Sequence, residues 1–73
     1  MDIYTDGATV GWNGKLGTVK HVGLGVFIPE LGIKRHALVR GISNNEAEFK
    51  ALIMGMRIAR DQNIKTPRFF LDS

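Results

Sequence analysis

Apolar and polar residues alternate at the start of the chain. In "DIYTDGA", Ile3 and Thr5 fall on one side of an extended backbone and Tyr4 and Asp6 on the other, which predicts a strand over about 2–8. A glycine-rich, polar stretch follows from Gly7 to about Lys20, with Gly11, Gly14 and Gly17 around the lone Trp12. It suits a long loop or a loosely ordered hairpin arm better than a helix. "VGLGVFIP" predicts a buried strand over about 22–29, ended by Pro29 and the turn "PELG". "IKRHALVRG" predicts a third strand over about 33–41, antiparallel to the second because so few residues join them.

The periodicity then changes from two to nearly four. "SNNE" has the form of a capping box, in which the Ser43 hydroxyl accepts from the Glu46 backbone N–H and the Glu46 carboxylate reaches back. Helix formers dominate from Asn44 to about Gln62, with Ala47, Ala51, Met54 and Ile58 as an apolar stripe, so a helix is predicted over about 44–62. Asn63 suits a left-handed position after the helix, and Pro67 prevents the helix from resuming. "RFFLDS" predicts a fourth strand over about 68–72. A helix placed as a crossover lets this last strand lie parallel to another strand, and the first is the expected neighbour.

With 73 residues the chain is expected to be a single domain, 1–73, with a modest core. The absence of cysteine excludes disulfides and thiolate metal sites. Asp2 and Asp6 interrupt any apolar leader and no apolar run approaches a membrane span, so the expectation is a cytoplasmic chain without a membrane partner. Ten basic against seven acidic residues give +3, which tolerates a polyanion without requiring one. The single local basic cluster, Lys34, Arg35, His36 and Arg40, suits a solvated edge strand.

Phosphate-loop patterns fail. Leu16 follows "GK" at Gly14–Lys15, and Ile28 stands where "GLGVFI" would need a third glycine. His21 and His36 lack ligand spacing, and Trp12 is better suited to local packing than to base stacking. What remains is a set of acids. If the first and fourth strands are parallel neighbours, Asp6 and Asp72 lie at the same strand ends, about 4.8 Å apart. Carboxylates so placed repel unless a cation lies between them, and oxygen ligands select a hard ion, Mg²⁺ or Mn²⁺. Singly, each acid has an ordinary explanation. Asp6 can initiate a turn, Glu48 can favour the helix dipole, and Asp72 can end a strand.

Together, "YTDGA", "SNNEAEFKAL" and "FFLDS" resemble the ribonuclease H type 1 family in residues, order and spacing, over essentially the whole chain. The Ala-Glu-Phe helix is most similar to the bacterial and archaeal reverse-transcriptase-like branch. The resemblance implies an α/β fold of the ribonuclease H type, truncated to a four-stranded mixed sheet with one long helix. Its first three strands would be antiparallel and its fourth parallel to the first. It implies catalytic metal ligands at Asp6, Glu48 and Asp72, with Glu46 left to the capping box. Nucleic-acid contacts are implied at Asn44, Asn45 and Gly7, the asparagines facing the minor groove of an RNA/DNA hybrid. The longer "GWNGKLG" replaces the family's usual turn, so no such contact is carried over to Asn13.

The implied activity is a metal-dependent endonuclease that cleaves the RNA strand of RNA/DNA hybrids by two-metal hydrolysis. The family's fourth carboxylate and later helices have no counterpart in the sequence, so the expectation is an amino-terminal portion, inactive or weak by itself. Its expected partners are the hybrid, together with either a carboxy-terminal half or a second copy paired through the exposed sheet edge. The alternative is a non-catalytic nucleic-acid-binding or oligomerising module of the same fold.

Overall fold

The computed structural model describes residues 1–10, 21–40 and 43–72, apart from the side chains of residues 8–10, 21, 44 and 72. It has four strands, β1 (Asp2–Val10), β2 (His21–Ile28), β3 (Ile33–Arg40) and β4 (Arg68–Asp72), and one helix, α1 (Asn44–Asp61). The strands form a single mixed sheet in the order β3-β2-β1-β4. β1 is antiparallel to β2, and β2 to β3, while β4 runs parallel to β1 on its other side. The expected α/β class, the strand directions and the neighbour of the last strand are therefore present.

Several boundaries differ from those the sequence predicts. β1 continues to Val10 and β2 begins at His21, because the pairing of Ala8 with Gly23, Thr9 with Val22 and Val10 with His21 extends the hairpin into the glycine-rich stretch. The rest of that stretch, 11–20, lies outside the described residues, and so does Gly41 beyond β3. Pro29 leaves β2 and opens a 3-10 turn, Pro29–Leu31, closed by Gly32 at φ 63° with its N–H donating to the Pro29 carbonyl. A left-handed residue is needed there, and glycine adopts it without a Cβ penalty.

The caps of α1 act largely as predicted. Ser43 Oγ accepts from Glu46 N–H at 3.2 Å. At the other end Gln62 is the cap, and Asn63 follows in the left-handed region at φ 55°. Ile64 N–H returns to the Ala59 carbonyl at 2.9 Å, while its side chain packs on the core, as Schellman-type endings require.

Alternation divides the sheet into two unlike faces. Ile3, Thr5 and Gly7 of β1, with Val22, Leu24, Val26 and Ile28 of β2, are buried beneath α1. The helix contributes Ala47, Ala51 and Ala59 to this core, with Met54 touching both halves of it. Its apolar stripe is thus wider than the sequence reading gave, since Gly55 and Ala59 are buried too while Met54 and Ile58 are only partly covered. Small residues on the helix let it lie low on the strands. The amino terminus is tied to β4, with Arg68 N–H donating to the Met1 carbonyl at 2.8 Å and the Met1 ammonium to the Thr66 carbonyl at 3.1 Å.

β3 carries the basic cluster along one edge, with Lys34, Arg35, His36 and Arg40 all exposed as expected. Among the described residues no helix is long and apolar enough to cross a membrane.

Candidate carboxylate site at the strand ends

The parallel register of β1 and β4 runs from Asp2 opposite Arg68 to Asp6 opposite Asp72. Two acids distant in sequence are thereby adjacent on neighbouring parallel strands, with backbones about 4.8 Å apart. Asp72 ends β4 as expected, whereas Asp6 lies mid-strand rather than at a strand end, because β1 runs on to Val10. Asp6 is exposed. It follows Tyr4 on the face turned away from α1, where both help to line a hollow of ≈ 430 Å³ together with Gly25, Phe27 and Phe70.

Glu48 comes to the same strand segment from the other side. The position a Gly7 Cβ would take is filled by the start of α1, 2.6 Å from the Ala47 carbonyl oxygen and 2.7 Å from Glu48 N. Only glycine permits this approach. It seats Ala47 in the core and leaves Glu48 half-buried at the border of the helix–sheet contact, next to the strand residue that follows Asp6. Asp6 and Glu48 thus flank one stretch of β1 from opposite faces, while Asp72 shares the register row of Asp6. The side chain of Asp72 lies outside the described residues. Among those described, no three Asp, Glu or His side chains cluster tightly enough to hold a metal ion.

The polar residues at the helix start divide by exposure. Asn45 is exposed in the first turn of α1; Asn44 opens the helix, and its side chain lies outside the described residues. Gly7 is buried, and the packing of α1 accounts for it fully.

Two features of the surroundings had no signal in the sequence. On the open face, Phe27, Tyr4 and Phe70 form one register row across three strands, with Tyr4 stacked on Phe70 at 5.2 Å and tilted toward Phe27 at 6.3 Å. Strand alternation places these rings on one face, but only the pairing register puts them in one row. Arg68 lies over Phe70, 5.8 Å from its centroid, while pairing with Asp2 at 2.8 Å. The second feature is the Thr5 hydroxyl, buried under α1 with no hydrogen-bond partner among the described residues.

Comparison with family models, curated proteins and solved structures gives no match to this chain.

Proposed function

We propose that this chain forms the strand-and-helix portion of a ribonuclease H-like nuclease site acting on the RNA strand of RNA/DNA hybrids, with Asp6, Asp72 and Glu48 as carboxylate ligands of Mg²⁺ or Mn²⁺. The observation that carries the reading is the register of Asp6 against Asp72 on neighbouring parallel strands. It is supported by the glycine that brings the Glu48 backbone to the next residue of β1.

The donor set suits such an ion. Three carboxylates offer hard oxygen ligands, and the chain has no thiol to favour a softer metal. Asp6 and Asp72 would hold the cation between two neighbouring strands on the face turned away from α1, and Glu48, which approaches β1 from the helix side, would join them only by reaching past the end of β4. A divalent ion held there supplies Lewis-acid polarisation of a phosphodiester and acidification of a bound water. The carboxylates themselves take no proton in this scheme; they fix charge where the phosphate must sit. Asn45, exposed at the start of the helix, offers an amide donor and acceptor to the 2′-hydroxyls and base edges of a hybrid minor groove, and Asn44 precedes it. The resemblance supplies no fourth carboxylate from this chain, so cation binding is the primary expected property and turnover a weaker one.

The test is a titration of Mn²⁺ or Mg²⁺ followed by NMR, run beside cleavage of an RNA/DNA hybrid. Line broadening or shifts should centre on Asp6, Glu48 and Asp72 and vanish in Asp6→Asn. That variant should keep or slightly gain stability, because it relieves repulsion between neighbouring acids. Hybrid binding without any Asp6-dependent cleavage would favour a non-catalytic binding module. No shifts at the three acids would end the metal reading.

A further inference from the structure

Among the described residues, α1 covers one face of the sheet and nothing packs on the other. The bare face carries Tyr4, Phe27 and Phe70, each more than two-fifths exposed, and Leu38 at 69%. The three rings form one apolar row, and Leu38 stands apart from it on β3, opposite Gly23. Beside the rings Gly25 carries no side chain, which leaves the hollow that Tyr4, Asp6, Phe27 and Phe70 also line.

The charges on this face are sorted by strand. β3 presents Lys34, His36 and Arg40 on one flank, while β1 carries Asp6 with Asp72 beside it in register. Asp2 is already occupied by Arg68. A surface basic on one side and acidic on the other, with an apolar band between, is complementary to itself turned over.

We propose that two copies of the chain pack through this face, sheet against sheet, about a two-fold axis running along the strands over the seam of β1 and β2. Such an axis lays β3 of one copy over β4 of the other and β2 over β1, an isologous contact. Within the aromatic row, Phe27 then meets Tyr4 of the second copy, and Lys34 stands over its Phe70 ring as a cation–π pair. One row along, His36 faces the Asp6–Asp72 end across Gly25, where no side chain intervenes. A footprint of four strands by about seven residues is on the order of 400 Å² per copy. That is roughly half of the ~800 Å² of a standard interface, so the dimer is weak and reversible. The inference stands independently of the cation site, although Asp6 lies within the covered area.

Sedimentation velocity from low- to high-micromolar concentration tests it. The average mass should rise with concentration toward twice 8.1 kDa. Tyr4→Lys should hold the chain monomeric at every concentration with an unchanged far-ultraviolet circular dichroism spectrum, because Tyr4 faces away from α1. The native sequence lacks cysteine, so a bismaleimide cross-linker spanning about 10 Å, the spacing of stacked sheets, fixes the geometry. Lys34→Cys mixed with Phe70→Cys should cross-link to a dimer, and neither variant should do so alone. A chain that stays monomeric throughout overturns the proposal, including one that binds single-stranded nucleic acid on the aromatic row instead. So does a dimer that survives Tyr4→Lys, or one in which a single cysteine variant cross-links to itself, which would mean pairing through a strand edge.

Discussion

Replacing Gly7 by alanine should cost more stability than any other single-methyl addition to this sheet, and the reason is geometric. The added Cβ would lie 2.6 Å from the Ala47 carbonyl oxygen and 2.7 Å from Glu48 N. Both are helix backbone atoms, so no side-chain rotation relieves the clash. The start of α1 must lift from β1, loosening Ala47 and Ala51 from Val22 and Leu24. Overpacking of this kind costs about 1–3 kcal/mol, and a backbone obstacle places it toward the upper end. Against that stands about 0.5–1 kcal/mol gained by removing a strand glycine. The net loss is about 1–2.5 kcal/mol.

In a chain of 73 residues, total stability is about 4–11 kcal/mol, so the variant loses a substantial share of it. At about 4–8 °C per kcal/mol, the thermal midpoint should fall by roughly 5–20 °C. Gly25→Ala is the internal control: it too adds a methyl to a strand glycine, yet its nearest neighbour is the Asp6 carbonyl oxygen at 3.8 Å. It should be neutral or mildly stabilising. Urea unfolding followed at 222 nm measures both. Equal effects at the two positions, or a Gly7→Ala variant as stable as the parent, would refute the close approach of α1 to β1. The same variant should weaken Mn²⁺ binding, since it moves Glu48 away from Asp6.

Three further substitutions probe separate contacts. Thr5→Val removes a buried hydroxyl that has no partner among the described residues and keeps the side-chain shape, so stability should rise by about 1 kcal/mol, seen as a higher urea midpoint. Ser43→Ala deletes the oxygen that accepts Glu46 N–H at 3.2 Å and should cost about 1 kcal/mol, with Ser43→Asp restoring it. Asp2→Asn breaks the 2.8 Å pair with Arg68, yet the Arg68 side chain is 71% exposed. The loss in thermal unfolding should stay below about 1 kcal/mol and shrink further in high salt.

The elements that the sequence made legible share one property: their signals are local. Alternation over Ile3, Tyr4, Thr5 and Asp6 identified the strand and the division of its side chains between two faces, and the Ser43 cap and Asn63 bounded the helix. The extension of β1 to Val10 and of β2 back to His21 was not legible. Those residues are strands because they pair with one another across the hairpin, while their own composition favours a loop. Likewise Gly55 and Ala59 look like neutral helix positions until Ile3, Thr5 and Phe69 are placed against the helix. A Cβ on Gly55 would come within 3.0 Å of the Thr5 Cγ2 methyl.

The candidate site divides along the same line. Asp6 and Asp72 could be matched from sequence because each sits near the end of a strand as its local pattern predicts it, although β1 runs on past Asp6 to Val10, and the helix between β3 and β4 makes a parallel pairing of the last strand with the first accessible. Once β4 lies beside β1, a shift of even one residue would move every side chain of β4 to the opposite face. The register is held by contacts remote from the acids. Arg68 N–H donates to Met1, Arg68 pairs with Asp2, and Phe69 packs into the core beside Ile3. Asp72 therefore meets Asp6 because the other end of the strand pair is pinned. Glu48 depends on something different, the missing side chain of Gly7, which sequence alone presents as half of an ordinary Asp-Gly turn. The two approaches are energetically separable. Slipping β4 would disrupt the acid pair without touching the contact of Ala47 and Glu48 with Gly7, whereas filling the space at Gly7 would displace Glu48 and leave the pair intact.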